Sequence, residues 1–214
     1  MIELIKVAKG YSVLKTIIEV PRYRFERGEM VSLVGPNGCG KSTLLMIMAG
    51  LLAPTKGRVD IDDHEAGSLS ARGLVSFIPD KPALFDDLTV AEQMAYVARL
   101  NNLDQPYAAS DRLMNVFGAE DLMDRFPRSL SKGQRQKAGI LVATSRPFDA
   151  LLLDEPTSGL DNESHNGLID ELGELANDGK LIIASTHNDE LIASSTRVAR
   201  IANGLLTEDG VEEE

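Results

Sequence analysis

The stretch Met30–Leu52, MVSLVGPNGCGKSTLLMIMAGLL, joins a short apolar run to a helix-patterned segment through a glycine-rich turn. MVSLV has the length and apolarity of a strand buried on both faces, and STLLMIMAGLL has helical spacing. Between them, Gly35–Ser42 fills the pattern G-x-x-x-x-G-K-[ST] at the strand-to-helix junction that this pattern requires. Gly35, Gly38 and Gly40 let successive backbone N–H groups converge on phosphate oxygens, and the helix N-terminus adds positive potential. Pro36, Asn37 and Cys39 complete the cradle. Lys41 is placed to neutralise the β- and γ-phosphates of a nucleotide, Ser42 to give a hydroxyl to Mg²⁺, and Thr43 to add a phosphate contact. The competing reading is a glycine turn whose lysine is merely solvated; it leaves the flanking strand and helix as coincidence. Cys39 reads as a small loop residue, because no base is paired with it for nucleophilic work.

Outward from this stretch, short apolar runs alternate with helix-like segments, the pattern of an α/β domain with a largely parallel sheet. GRVDIDD and VSFIP read as strands, and ALLLD (Ala150–Asp154) and KLIIAST (Lys180–Thr186) read as central parallel strands buried on both faces. The span from Leu88 to about Leu130 is helix-rich, with AEQMAYVARL its clearest helix. It reads either as an inserted helical subdomain, residues 81–130 between catalytic-core segments 1–80 and 131–214, or as long crossover helices.

At 214 residues and 43% hydrophobic, the chain can bury one substantial core. Its net charge of -11 argues against a nucleic-acid surface, which needs clustered Lys and Arg. Glu208, Asp209, Glu212, Glu213 and Glu214 carry five of those charges, so the body is nearer -6 and the tail reads as a solvated end. A single cysteine permits no intrachain disulfide and fits a reducing compartment. No apolar stretch approaches the ~20 residues that span a bilayer, and MIELIKVAKG lacks a signal-peptide core. The expectation is a soluble, cytoplasmic protein, any membrane role of which must come through a partner chain.

In LLLDEP, Asp154 sits at the tip of an apolar strand with Glu155 after it, where parallel sheets present their ligands. Asp154 is expected to hold Mg²⁺ through its waters, and Glu155 to orient and deprotonate the water that attacks the γ-phosphate. The plainer reading makes both acids caps of a following helix. His187 follows KLIIAST in the same topological position, within reach of the γ-phosphate or of the attacking water, unless it is simply a capping residue.

At LSKGQRQK, Leu130–Lys137, the chain resembles the ABC ATPase family, whose signature reads LSGGQ. The order of motifs agrees: the P-loop, then the signature, then LLLDEPTSGLD, similar to the family's Walker B and D-loop, then STH, similar to its H-loop. The resemblance runs from about Ile2 to Asn203. It implies a P-loop NTPase fold with a mostly parallel central sheet, an antiparallel N-terminal β region and an inserted helical subdomain. It also implies ATP and Mg²⁺ as cofactors and an ATP-sandwiched dimer with a second ATP-binding cassette. A membrane-spanning transporter subunit is the further partner, holding the chain at the inner face of the cell membrane. Within that dimer Ser131, Gly133 and Gln134 meet ATP held by the opposite subunit, although the local string alone equally describes a capped helix. Asp161, in SGLD, matches the acid that couples the two sites. His187 matches the switch histidine, and Tyr11, in KGYSVL, matches the aromatic that stacks on adenine.

Two residues depart from the family pattern. Lys132 replaces the first signature glycine, and either points away or helps hold ATP. In FIPDKPALFDDLTV, Asp80 stands where the family has glutamine; it can accept from a metal-bound water but cannot donate, and it is expected near Mg²⁺. The loop KPALFDDLTVAEQ is similar to cassettes of export-type systems with separate membrane subunits. The rival classes are a soluble ABC ATPase acting on DNA or translation, which would carry tandem cassettes, coiled coils or basic surfaces, and an unrelated kinase or GTPase. A GTPase would show an NKxD motif, and none is present.

Overall fold

The computed structural model describes residues 1–12 and 15–208, without the side chains of residues 11, 12, 15 and 16. The chain opens with an antiparallel pair, β1 (Ile2–Ser12) and β2 (Lys15–Phe25), followed by β3 (Met30–Val34) and α1 (Lys41–Met48). Next come β4 (Lys56–Ile61), β5 (His64–Glu65), α2 (Leu69–Leu74) and β6 (Val75–Ile78). Helices α3 (Val90–Leu100), α4 (Ala108–Phe117) and α5 (Lys132–Ala143) precede β7 (Ala150–Asp154) and α6 (Asn162–Asn177). The chain continues with β8 (Leu181–Ser185), α7 (Asp189–Ser194), β9 (Arg197–Ala202) and β10 (Leu205–Glu208).

Among the described residues ten strands form one sheet in the order β5-β4-β1-β2-β10-β9-β3-β8-β7-β6. Strands β9, β3, β8, β7 and β6 run parallel, whereas β5, β4, β1 and β2 are antiparallel, joined through the β9–β10 hairpin. Both faces of the parallel block are covered, which is why its strands are apolar without alternation. On one face Val31, Leu33, Leu152 and Ile183 pack with Leu44, Leu45 and Met48 of α1 and with Leu4, Ile18 and Val59 of the antiparallel strands. On the other face Leu151, Leu153 and Ile182 pack with Met94, Leu113 and Phe117 of the helix-rich span, and with Ile140 and Leu168 of α5 and α6. Thus α3 and α4 bury their apolar stripes in the same cluster as the sheet's second face.

Two element ends differ from the sequence reading. The helix after the P-loop stops at Met48 rather than running through Leu52, because Gly50 turns left-handed (φ 70°) and the Leu51 N–H reaches back to Met46 O at 2.9 Å. The strand in GRVDIDD ends at Ile61; Asp62 and Asp63 take φ of 43° and 66° and form the tight turn into β5. The acidic end at 209–214 lies outside the described residues.

Leu152, fully buried at the middle of β7, belongs to the apolar cluster that also holds the buried face of α1. Leu152→Ala leaves a cavity there and is expected to lower unfolding free energy by about 2–5 kcal/mol, measured by urea denaturation with the urea dependence unchanged.

Candidate active site

The carboxyl ends of three adjacent strands meet at one edge. Leu33 pairs with Ser185, and Asp154 pairs with Ser185 from the other side, so the loops after β3, β7 and β8 leave the sheet side by side. Alternation along β7 puts Asp154 on the same face as Leu152, toward α1 and the P-loop. There it is buried, 6% exposed, and its Oδ1 accepts a 2.5 Å hydrogen bond from Ser185 Oγ.

The P-loop wraps the N-terminus of α1. Gly40 caps that helix at φ 112°, and a Cβ on it would stand 2.7 Å from the Ile18 side chain, so the loop sits directly against β2. Lys41, only 7% exposed, donates from Nζ to Gly35 O at 2.8 Å and Pro36 O at 3.4 Å, and lies 3.0 Å from His187 Nε2. The same imidazole nitrogen is 3.0 Å from Asn37 Oδ1 and 3.7 Å from Glu155 Oε1. When neutral it can accept from Lys41 or donate to Asn37, and the tautomer decides which. His187 is thereby held over the phosphate cradle, between the cradle's lysine and the carboxylate that follows β7.

A cleft of about 360 Å³ opens beside these groups, lined by Asn37, Gly38, Gly40, Lys41, Ser42 and Thr43 on the P-loop side. Ile17, Asp80, Asp154 and Glu155 close it. Cys39 is partly buried behind the loop and packs with the apolar residues of β1, β2 and α1. Ser42, Asp80 and Asp154, all oxygen donors, are among the residues lining the cleft. Among the described residues no group of three or more His, Cys, Asp or Glu forms a metal cage. That donor set fits Mg²⁺, which keeps several waters and takes one or two carboxylates together with phosphate oxygens.

Glu155 has a left-handed backbone, φ 49°, sparsely populated by residues with a side chain. Its N–H donates to Ser185 O at 3.0 Å, which fixes the peptide and turns the carboxyl into the cleft. Burial pushes the Glu155 carboxyl above its ordinary value; His187 and Lys41 pull it down in part, and Asp154 adds a like charge.

The signature residues stand elsewhere in the same subunit, and none of Ser131, Gly133 and Gln134 is among the residues lining this cleft. Ser131 and Gln134 form a capping box on α5: Ser131 Oγ accepts from the Gln134 N–H at 3.3 Å, and Gln134 Oε1 accepts from the Ser131 N–H at 3.0 Å. Gly133 approaches the loop after β7 so closely that a Cβ on it would lie 2.2 Å from Gly159 O. Asp161 caps α6, accepting from the Ser164 N–H at 2.9 Å, and pairs with Lys137 Nζ at 2.9 Å. The Ser164 hydrogen bond, together with Lys137, holds its carboxyl far below the usual carboxylate range. Tyr11 contributes its backbone to β1, and its side chain lies outside the described residues. Ser185, which orients Asp154, and Gln136, whose Nε2 donates to Pro156 O at 3.3 Å, were not singled out from the sequence. The only trace of Ser185 there is its place at the end of an apolar strand, level with Asp154.

A glycine cradle with a buried lysine, a carboxylate pair at a strand end and a histidine on the next loop define a P-loop nucleotide hydrolase. The family model described as ABC transporter matches residues 19–158, and the chain belongs to that family. It is 33% identical over 220 residues to the uncharacterized ABC transporter ATP-binding protein MJ1508 of Methanocaldococcus jannaschii, covering 97% of this chain and 98% of the relative. It is also 33% identical over 183 residues to the human phospholipid-transporting ATPase ABCA3, covering 84% of this chain but 11% of that much longer protein. Among solved structures, the dimeric post-hydrolysis state of the ATP-binding cassette MJ0796 bound to ADP and Pi superposes with a TM-score of 0.85 at 25% identity, covering 100% of both chains.

With Glu155 as the group expected to take the proton of the attacking water, its raised carboxyl predicts a pH dependence. Its proton-accepting form disappears as pH falls through a pKa above the ordinary value of 4.5. The acidic limb of a single-turnover hydrolysis profile is therefore expected above pH 4.5; a limb at or below it would show that burial does not control this group.

Proposed function

We propose that this chain hydrolyses ATP as one half of an ATP-sandwiched cassette dimer and uses the resulting motion to drive a separate membrane-spanning subunit. The observation that carries this reading is the juxtaposition of Lys41, His187 and Glu155 around the P-loop, with a capped signature turn on a different part of the same subunit. One subunit supplies the cradle and the base, and a second copy supplies Ser131, Gly133 and Gln134 at the N-terminus of its α5. Because both halves are present in one chain, a homodimer satisfies the site.

The P-loop N–H groups and Lys41 bind the phosphates, and Lys41 exchanges the carbonyls of Gly35 and Pro36 for phosphate oxygens as it does so. Ser42, Asp154 and Asp80 would hold Mg²⁺, which supplies charge neutralisation on the phosphates when bound. Glu155 orients the attacking water and accepts its proton. His187 is positioned at the γ-phosphate end, hydrogen-bonded within the cradle and within 3.7 Å of Glu155. Tyr11 is assigned the adenine, and Asp161 the link between the two sites.

The proposed docking surface for the membrane subunit lies beside Asp80. A groove of about 340 Å³ is walled by Pro79, Pro82, Leu84, Val97 and Val142, between β6, α3 and α5. Leu51, which lines it, and Phe85, next in sequence to the lining Leu84, are 67% and 57% exposed, apolar surface suited to a partner. Residues 81–130 are proposed as the helical arm that carries this groove, with 1–80 and 131–214 as the catalytic core. No helix among the described residues is long and apolar enough to cross a membrane. The chain is accordingly proposed to sit at the cytoplasmic face through its partner.

Glu155→Gln removes the base and keeps the cradle. The variant is expected to bind ATP, to lose at least about a hundredfold in turnover, and to accumulate as a dimer in Mg·ATP, measured by light scattering after gel filtration. A variant that binds ATP and stays monomeric would overturn the homodimer; one that binds no ATP would overturn the site.

A further inference from the structure

Helix α5 holds the loop after β7 of its own subunit at four points. Gln136 Nε2 donates to Pro156 O at 3.3 Å, Lys132 Nζ to Ser158 Oγ at 2.9 Å, and Lys137 Nζ to Asp161 Oδ2 at 2.9 Å. Gly133 lies against the Gly159 carbonyl. The Lys132 contact exists because a lysine stands where the resembling family has glycine. It is more than a chance surface pair, since the aliphatic stem also covers Gly159: Cδ and Cγ lie 3.4 and 3.5 Å from where a Cβ on that glycine would be. The loop it grips begins at the base. Ser158 N–H donates to Glu155 O at 3.1 Å, so the hydroxyl that accepts from Lys132 belongs to the same turn as Glu155.

The signature end of α5 and the strained Glu155 peptide are thus joined by a short chain of contacts: Lys132 to Ser158, and Ser158 to Glu155. Within this loop Gln136 donates to Pro156 and Lys137 to Asp161, at the loop's two ends. The middle depends on Lys132 and on the Gly133 backbone contact.

We propose that Lys132 is a positioning residue for hydrolysis: by clamping Ser158 to the signature turn it makes the Glu155 turn follow the signature helix. ATP captured at the signature of one subunit then sets the base of that same subunit. The inference rests on the dimer reading above. It differs from a direct role for Lys132 on the partner-held phosphate, because it requires Ser158.

The test is a double-mutant cycle on the full chain. Steady-state ATPase is measured for Lys132→Ala, Ser158→Ala, the double variant and Lys132→Arg, with thermal melts to verify folding. ATP-driven dimerisation is measured for the same changes in the Glu155→Gln background. Clamping predicts that each single substitution lowers kcat about two- to fivefold, with KM and dimerisation unchanged, and that the double variant is no worse than the worse single. Lys132→Arg, which can still donate to Ser158, is expected to restore turnover. Multiplicative losses, an unchanged kcat, or a salt-sensitive loss of dimerisation in Lys132→Ala that Ser158→Ala does not share would each overturn the proposal. Failure of Glu155→Gln alone to dimerise in Mg·ATP would instead overturn the dimer reading, and this inference with it.

Discussion

Strand β8 lies between β3 and β7, and its register with both decides where the chemistry falls. Ser185 is the shared partner of Leu33 and Asp154, so three strands end level and three loops emerge together. Side chains alternate strictly along a strand, so a slip of one residue in β7 would send Asp154 into the helix-covered core and bring Leu153 toward the P-loop. What prevents the slip is burial on both faces: Leu151 and Leu153 fit one cluster, and Ala150 and Leu152 fit the other. The same constraint places Ser185 where its hydroxyl donates to Asp154 and both its hydroxyl and carbonyl oxygens accept from the Glu155 N–H. Packing far from the phosphate thus fixes the carboxylates beside it.

Charge is arranged around the cleft with a deliberate imbalance. Asp80, Asp154 and Glu155 line it, against Lys41. Of the three acids Asp154 is tied by a hydroxyl, a partner that orients a carboxylate without neutralising it. Burial, and to a lesser degree the charge of Asp154, raises the pKa of Glu155. Such a site favours occupants that bring cation and phosphate together, because each compensates the group the other would oppose.

Much of this architecture was legible in the residues. MVSLV and ALLLD are observed as strands with the predicted limits, since uninterrupted apolar runs bounded by glycine or acid leave little choice for a sheet covered on both faces. The phosphate cradle was legible because its pattern is local. Element ends were less so: the helix stop at Met48 and the Asp62–Asp63 turn depend on left-handed backbone that nearby residues permit without demanding. Illegible altogether were the contacts that hold the site in shape. Gln136 with Pro156, Lys132 with Ser158 and Ser185 with Asp154 join residues 20, 26 and 31 positions apart, and no periodicity records such pairings. The capping box of Ser131 and Gln134 shows the reverse case, a local motif that accounts for two signature residues before any partner arrives.

The backbone of Glu155 has a bearing on how this protein can change over time. A left-handed residue with a full side chain costs the fold on the order of 1 kcal/mol, which glycine at that position would recover. Selection for stability alone would therefore erode the position toward glycine, and drift in a copy relieved of hydrolysis would be expected to do so. A glutamate at that torsion angle sets the side chain's place in the cleft against the stability a glycine would give.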